Sequence, residues 1–109
     1  DMRFAPSIDI IKELKKEGAI IKTYDPKAMK KAKDILKDVE YCNDSYDAAK
    51  NSDALIIITE WPQFKELDLR EIKSLMKNPL IIDGRNIYNP QELKKHGFAY
   101  ISIGRKDVV

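Results

Sequence analysis

The chain contains a single cysteine, Cys42, which excludes an internal disulfide and makes a reducing, cytoplasmic setting the expected one. Glycine is scarce, with four residues, and none of them forms the G-x-G-x-x-G or Walker loop that cradles phosphate. No G-x-S-x-G elbow and no metal-ligand spacing occur either. Strong charge of one sign is also missing. Twenty Lys and Arg against eighteen Asp and Glu leave a formal net charge of +2, too little for nucleic acid or an anionic membrane to be the main partner. There is neither a secretory h-region nor an apolar run of membrane-spanning length. The expectation is one soluble α/β domain over residues 1–109 without machinery for chemistry of its own.

What the chain does have is regular alternation of apolar stretches. Ile8, Ile10, Ile11 and Leu14 follow Ser7, with Lys12, Lys15 and Lys16 between them, which predicts an amphipathic helix ended by Gly18. Residues 19–24 predict a strand, and Asp25-Pro26 the start of a helix through Met29, Ala32 and Leu36. A short strand at 39–42 and a short helix at 45–49 come next. The unbroken run at 54–59, rich in β-branched residues, reads as a parallel strand covered on both faces. Asp68 and Glu71 form an acidic capping box for a helix bearing Leu69, Ile72, Leu75 and Met76. A buried strand at 79–83, a helix opened by Asn89-Pro90 and stopped at Gly97, and a strand at 99–103 complete the series. Such alternation predicts a Rossmann-like, doubly wound parallel sheet with helices on both faces. The order begins with a helix, so the first strand is expected to be missing from this chain.

Ligands of open α/β sheets sit beyond the carboxyl ends of the strands. The residues there are Asp25-Pro26, Thr59-Glu60-Trp61, Asp83-Gly84-Arg85-Asn86 and Gly104-Arg105, with Asp1-Met2-Arg3 ahead of the first helix. Arg85 follows a glycine that permits a tight turn, and its guanidinium offers paired donors to phosphate; an ion pair with Asp83, or plain solvation, is an equal reading. Arg3 precedes a helix N-terminus, a position that favours anions, although composition alone makes it a surface arginine. Trp61 reads as packing rather than stacking, Cys42 as structural, and His96 as a helix-end residue favoured by the dipole. A phosphoacceptor receiver, a regulatory α/β module without enzymatic activity, is the alternative class, because Thr59 and Asp83 end buried strands. It lacks the acid cluster and the lysine that a receiver needs.

Taken in order, Asp1-Met2-Arg3, Ala5-Pro6-Ser7, Tyr24-Asp25-Pro26, Thr59-Glu60-Trp61, Asp83-Gly84-Arg85-Asn86 and Ile103-Gly104-Arg105 resemble the C-terminal, UDP-sugar-binding domain of the UDP-glucose 6-dehydrogenases. The resemblance spans nearly the whole chain, and Thr59-Glu60-Trp61 resembles the UDP-glucose branch rather than the GDP-mannose one. It implies a portion of an NAD-dependent oxidoreductase that converts the sugar C6 alcohol to a carboxylate by two hydride transfers, through a thiol-linked intermediate on a cysteine. Nothing here resembles that cysteine's motif, so Cys42 inherits no role. By the resemblance, Arg85 contacts the UDP-sugar and Arg3 reaches NAD, which an absent N-terminal domain mainly binds. The family's strand ending in Phe-Lys, whose lysine helps to bind substrate, has no counterpart in this chain. It would lie mid-sheet, between the strands at 19–24 and 54–59, where a gap would expose unpaired backbone and apolar surface. The expected partners are therefore the UDP-sugar, the remainder of the same enzyme, and a homo-oligomeric or intermolecular strand contact.

Overall fold

Two short parallel sheets and the helices beside them make up the computed structural model, which describes residues 5–26 and 36–102. The chain divides into two units, Asp1–Ala48 and Ala49–Val109. Three expectations lie outside the described residues: Arg3, most of the helix through Met29 and Ala32, and the segment Ile103-Gly104-Arg105.

In the first unit, α1 (Ala5–Lys16) buries Ile11 and half-buries Ile8 and Leu14, while Lys15 and Lys16 occupy its last turn, where the dipole favours cations. Its end is closed by Gly18 at φ 92°, with Gly18 N donating to Lys15 O (3.0 Å) and Ala19 N to Leu14 O (3.1 Å). That pair of bonds satisfies two orphan carbonyls and needs the left-handed conformation that glycine adopts without strain. β1 (Lys22–Thr23) pairs in parallel with β2 (Glu40–Tyr41), Lys22 opposite Glu40 and Thr23 opposite Tyr41. Ile11 and Leu36 form the buried centre, packed by Ile8, Ile21, Val39 and Tyr41. The strand is shorter than the apolar run suggested: pairing starts at the Ile21 carbonyl, which accepts from Glu40 N at 2.9 Å, and Ile20 is left 95% exposed. α2 (Ser45–Ala49) is capped by Asp44, whose Oδ1 accepts from Asp47 N at 2.7 Å, while Asp47 reaches back to Asn43 N.

The second unit carries a three-stranded parallel sheet in the order β3 (Leu55–Ile57), β4 (Leu80–Asp83), β5 (Ala99–Ser102). The registers place Ile57 beside Asp83, and Asp83 beside Ser102. β3 is again narrower than its apolar run, because a ladder is only as long as its partner allows. After β3 a 3₁₀ turn at Pro62–Glu66 buries Phe64, and α3 (Leu69–Leu75) buries Leu69 and Ile72. Asp68 caps α3 as expected, accepting from Arg70 N (3.0 Å) and Glu71 N (3.3 Å). Asn89 does the same for α4 (Pro90–Lys95), accepting from Gln91 N at 2.9 Å, with proline at the first helical position. α4 ends on Gly97 at φ 86° with the same pair of bonds seen after α1: Gly97 N to Lys94 O and Phe98 N to Leu93 O. Tyr100, Ile72, Ile81, Leu93 and Asp83 are the largest fully buried side chains. Four are core residues of ordinary kind. The carboxylate is not.

Candidate ligand site at the strand ends of the second unit

A buried charge is expensive unless hydrogen bonds replace its water. Asp83, the last residue of β4, meets that demand with four bonds among the described residues. Oδ1 accepts from Arg85 N at 3.0 Å, and Oδ2 accepts from Ile87 N at 2.8 Å, Tyr88 N at 3.1 Å and the Tyr100 hydroxyl at 2.5 Å. The first is the side-chain-to-backbone contact that aspartate makes two residues ahead of itself in tight turns. Tyr100 comes from the neighbouring strand β5, and its hydroxyl also lies 3.3 Å from the Tyr88 carbonyl. The Tyr88 hydroxyl in turn donates to the Phe64 carbonyl. The loop after β4 is thus fastened to the sheet at its root.

Two expectations about this loop need correction. Sequence gives Gly84 the permissive role in the turn, yet it is Asn86 that adopts the left-handed conformation, at φ 57°. Asparagine is among the few non-glycine residues that tolerate this region. Gly84 instead continues the ladder, its N–H donating to Ile57 O at 2.8 Å. The alternative ion pair of Arg85 with Asp83 does not form either. Asp83 is occupied by backbone amides and Tyr100, and the Arg85 guanidinium meets Glu60 instead, Nη2 to Oε1 at 3.1 Å. Both side chains remain about half exposed, 44% for Arg85 and 55% for Glu60, so the pair is screened by water and holds little energy by itself. Its importance is geometric. Parallel pairing makes the loops after β3 and β4 leave from the same edge of the sheet, and so brings Glu60 and Arg85 together there. The guanidinium engages Glu60 through one nitrogen, and among the described residues its other donors face no carboxylate or carbonyl.

Around this pair, Trp61 is half-buried ahead of the 3₁₀ turn and Thr59 is half-buried behind Glu60. Ser102, beside Asp83 in the ladder, has a buried hydroxyl oxygen with no hydrogen-bond partner among the described residues. Asp83 is fully buried, its oxygens already engaged, and so is not placed to accept a phosphoryl group as a receiver's aspartate does.

In the first unit, Asp25-Pro26 follows the carboxyl end of β1. Cys42 is buried there, and burial, followed by the charge of Asp47, pushes its thiol pKa up despite nearby Lys22. That is the opposite of what a nucleophilic cysteine requires. His96 caps α4, with Nδ1 2.9 Å from the Glu92 carbonyl oxygen, which matches a helix-end role. Among the described residues no three His, Cys, Asp or Glu side chains gather as a metal site, and no helix is long and apolar enough to cross a membrane.

Glu60 stands among the strand-end residues picked out from sequence, but its pairing with Arg85 and the part played by Tyr100 do not. The Glu60 contact with Arg85 spans 25 positions and has no local signal. The Asp83 network has a local signal that could have shown it, an aspartate followed by glycine and then asparagine; Tyr100 has none.

A parallel α/β unit that gathers an arginine and an acid beyond its strand ends, with a phosphate loop nowhere in sequence, has the architecture of a Rossmann-like ligand-binding domain. Residues 1–90 match the UDP binding domain of the UDP-glucose/GDP-mannose dehydrogenase family, and the chain belongs to that family. It is 47% identical over 107 residues to the UDP-glucose 6-dehydrogenase of Rhizobium meliloti (strain 1021), covering 98% of this chain and 24% of that protein. The UDP-glucose 6-dehydrogenase TuaD of Bacillus subtilis (strain 168) is likewise 47% identical over 109 residues, covering 99% of this chain and 24% of that protein. Among solved structures, the NDP-N-acetyl-D-galactosaminuronic acid dehydrogenase of Methanosarcina mazei Go1 superposes with a TM-score of 0.77 at 29% identity, covering 93% of this chain and 21% of that one. The chain therefore spans about a quarter of the length of these curated relatives.

Proposed function

We propose that this chain is the UDP-sugar-binding portion of an NAD-dependent dehydrogenase that oxidises UDP-glucose to UDP-glucuronate. The relatives named as UDP-glucose 6-dehydrogenases support the substrate, and the family's UDP binding domain supports the division of labour. The observation that carries the reading is the Arg85 guanidinium at the carboxyl edge of the three-stranded sheet, tethered by Glu60 through one nitrogen and, among the described residues, open at the rest. Its remaining donors suit the oxygens of a sugar nucleotide. Arg3 is assigned to the NAD side of the cleft by resemblance alone. NAD, where bound, would supply the hydride acceptor, two equivalents of it together with one water accounting for oxidation of the primary alcohol, through the aldehyde level, to the acid. This chain's share is to bind and orient the sugar nucleotide. The reading also places the protein in the cytoplasm and sets the rest of the enzyme, or a second copy, against exposed Ile20 of the first unit.

The test is calorimetric titration of UDP-glucose into the protein with whatever flanking sequence it naturally carries, comparing it with Arg85→Ala. Loss of charge-assisted hydrogen bonds to the ligand should weaken binding by about ten- to a hundredfold. Unchanged affinity would remove Arg85 from the site.

A further inference from the structure

Arg85 is held at both ends, and the two restraints differ in kind. Its head group meets an exposed carboxylate, Glu60, at 3.1 Å. Its backbone N–H meets a fully buried one, Asp83, at 3.0 Å. The same carboxylate takes the amides of Ile87 and Tyr88, so that it brackets Asn86, the residue at φ 57°. Even for asparagine, which tolerates it, a left-handed conformation is held firmly only where its surroundings over-determine it. Here they do, because Oδ1 holds the amide before Asn86 and Oδ2 holds the amides after it. Oδ2 itself is fixed by the Tyr100 hydroxyl from β5, so the turn is registered against two strands and not one. None of Asp83's four bonds is spent on solvent, and every backbone partner belongs to the loop that carries Arg85.

We propose that Asp83, anchored by Tyr100, is the positioning residue for Arg85: it freezes the Gly84–Tyr88 turn before ligand arrives, so that the backbone carrying the guanidinium needs no ordering at binding. A ligand contact made from a pre-set turn loses less conformational freedom than one made from a mobile loop. The inference rests on Arg85 being a ligand contact. It adds that part of the affinity resides in a residue that never touches the ligand.

The experiment is a double-mutant cycle on UDP-glucose affinity, in the same full protein, with Tyr100→Phe, Arg85→Ala and the two combined. Tyr100→Phe keeps the ring and removes the hydroxyl that fixes Asp83. It should weaken UDP-glucose binding by about three- to tenfold when Arg85 is present and by nothing measurable when Arg85 is alanine. A purely structural role would give the same loss in both backgrounds, and that result, or no loss at all in a folded Tyr100→Phe protein, overturns the inference while leaving the site intact. If Arg85→Ala alone changes nothing, the ligand-site reading falls and this inference falls with it. Amide hydrogen exchange in the unsubstituted protein gives a second measurement that does not depend on any variant folding. The amides of Arg85, Ile87 and Tyr88 should be protected in the free protein and change little on adding UDP-glucose. Protection acquired only with ligand would show an unformed turn and overturn the proposal.

Discussion

Replacing Asp83 by alanine removes the acceptor from three amides and one hydroxyl at once. These four bonds are not equal. The amides of Arg85 and Ile87 are only partly buried and recover much of their loss from water, and the Tyr100 hydroxyl can turn to the Tyr88 carbonyl 3.3 Å away, whereas the Tyr88 amide is buried and loses a charged acceptor. Hydrogen bonds to a charged group contribute about 1.5–3 kcal/mol each, and a buried donor left unsatisfied costs a similar amount. Counting the Tyr88 amide in full, the Tyr100 hydroxyl in part and the others as nearly neutral gives a loss of about 2–4 kcal/mol. A small domain has roughly 5–15 kcal/mol in all, so the alanine variant should lose a large share of its stability. Asp83→Asn keeps one acceptor oxygen but turns an amide nitrogen towards donors, and should lose about half as much. Urea unfolding reports this directly, because Trp61 is the only tryptophan and lies in the same unit as Asp83. The midpoint should fall at an unchanged slope, as it does when stability alone changes. A loss under about 1 kcal/mol for Asp83→Ala would mean that the network does not stabilise the turn.

Two further predictions concern chemistry and backbone. Because burial and Asp47 push the Cys42 thiol pKa up, the folded first unit holds that proton more tightly than the unfolded chain does. Its contribution to stability is complete below the ordinary thiol range and is lost as pH rises through the raised value. Alkylation of Cys42 in the native protein should accordingly lag far behind the urea-unfolded protein at mildly alkaline pH, and equal rates would refute the assignment. Gly97→Ala and Gly18→Ala should each cost about 1–2 kcal/mol, because both sites have φ near 90°, a conformation that a side chain strains. A new Cβ at Gly97 also meets the Lys73 ammonium, a flexible side-chain end that can move aside, and at Gly18 it meets nothing within 4 Å. Thermal melts of similar depression are expected, and a neutral result at either position would show that the cap had relaxed.

The comparison of sequence with structure divides along the range of the interactions. Gly18, Gly97, Asp68 and Asn89-Pro90 end or begin helices where their chemistry said they would, since each acts on amides or carbonyls within a few residues. Strand extents were overestimated at 19–24 and 54–59, because apolar residues report burial whereas pairing depends on a partner elsewhere in the chain. The site split in the same way. Arg85 at a strand end was legible, and so was the family, but its partner Glu60 lies 25 residues upstream and Tyr100 lies 17 residues beyond Asp83. No local pattern encodes such meetings. Only the register of parallel strands does.

The side-by-side exit of the loops after β3 and β4 has a consequence for how such a domain changes over time. Residues at the rim, such as Glu60, can be exchanged without disturbing Ile72, Ile81 or Leu93 beneath them. Rim chemistry is thereby separated from foldability: the outermost side chains can change while the acid at the root of the turn stays put.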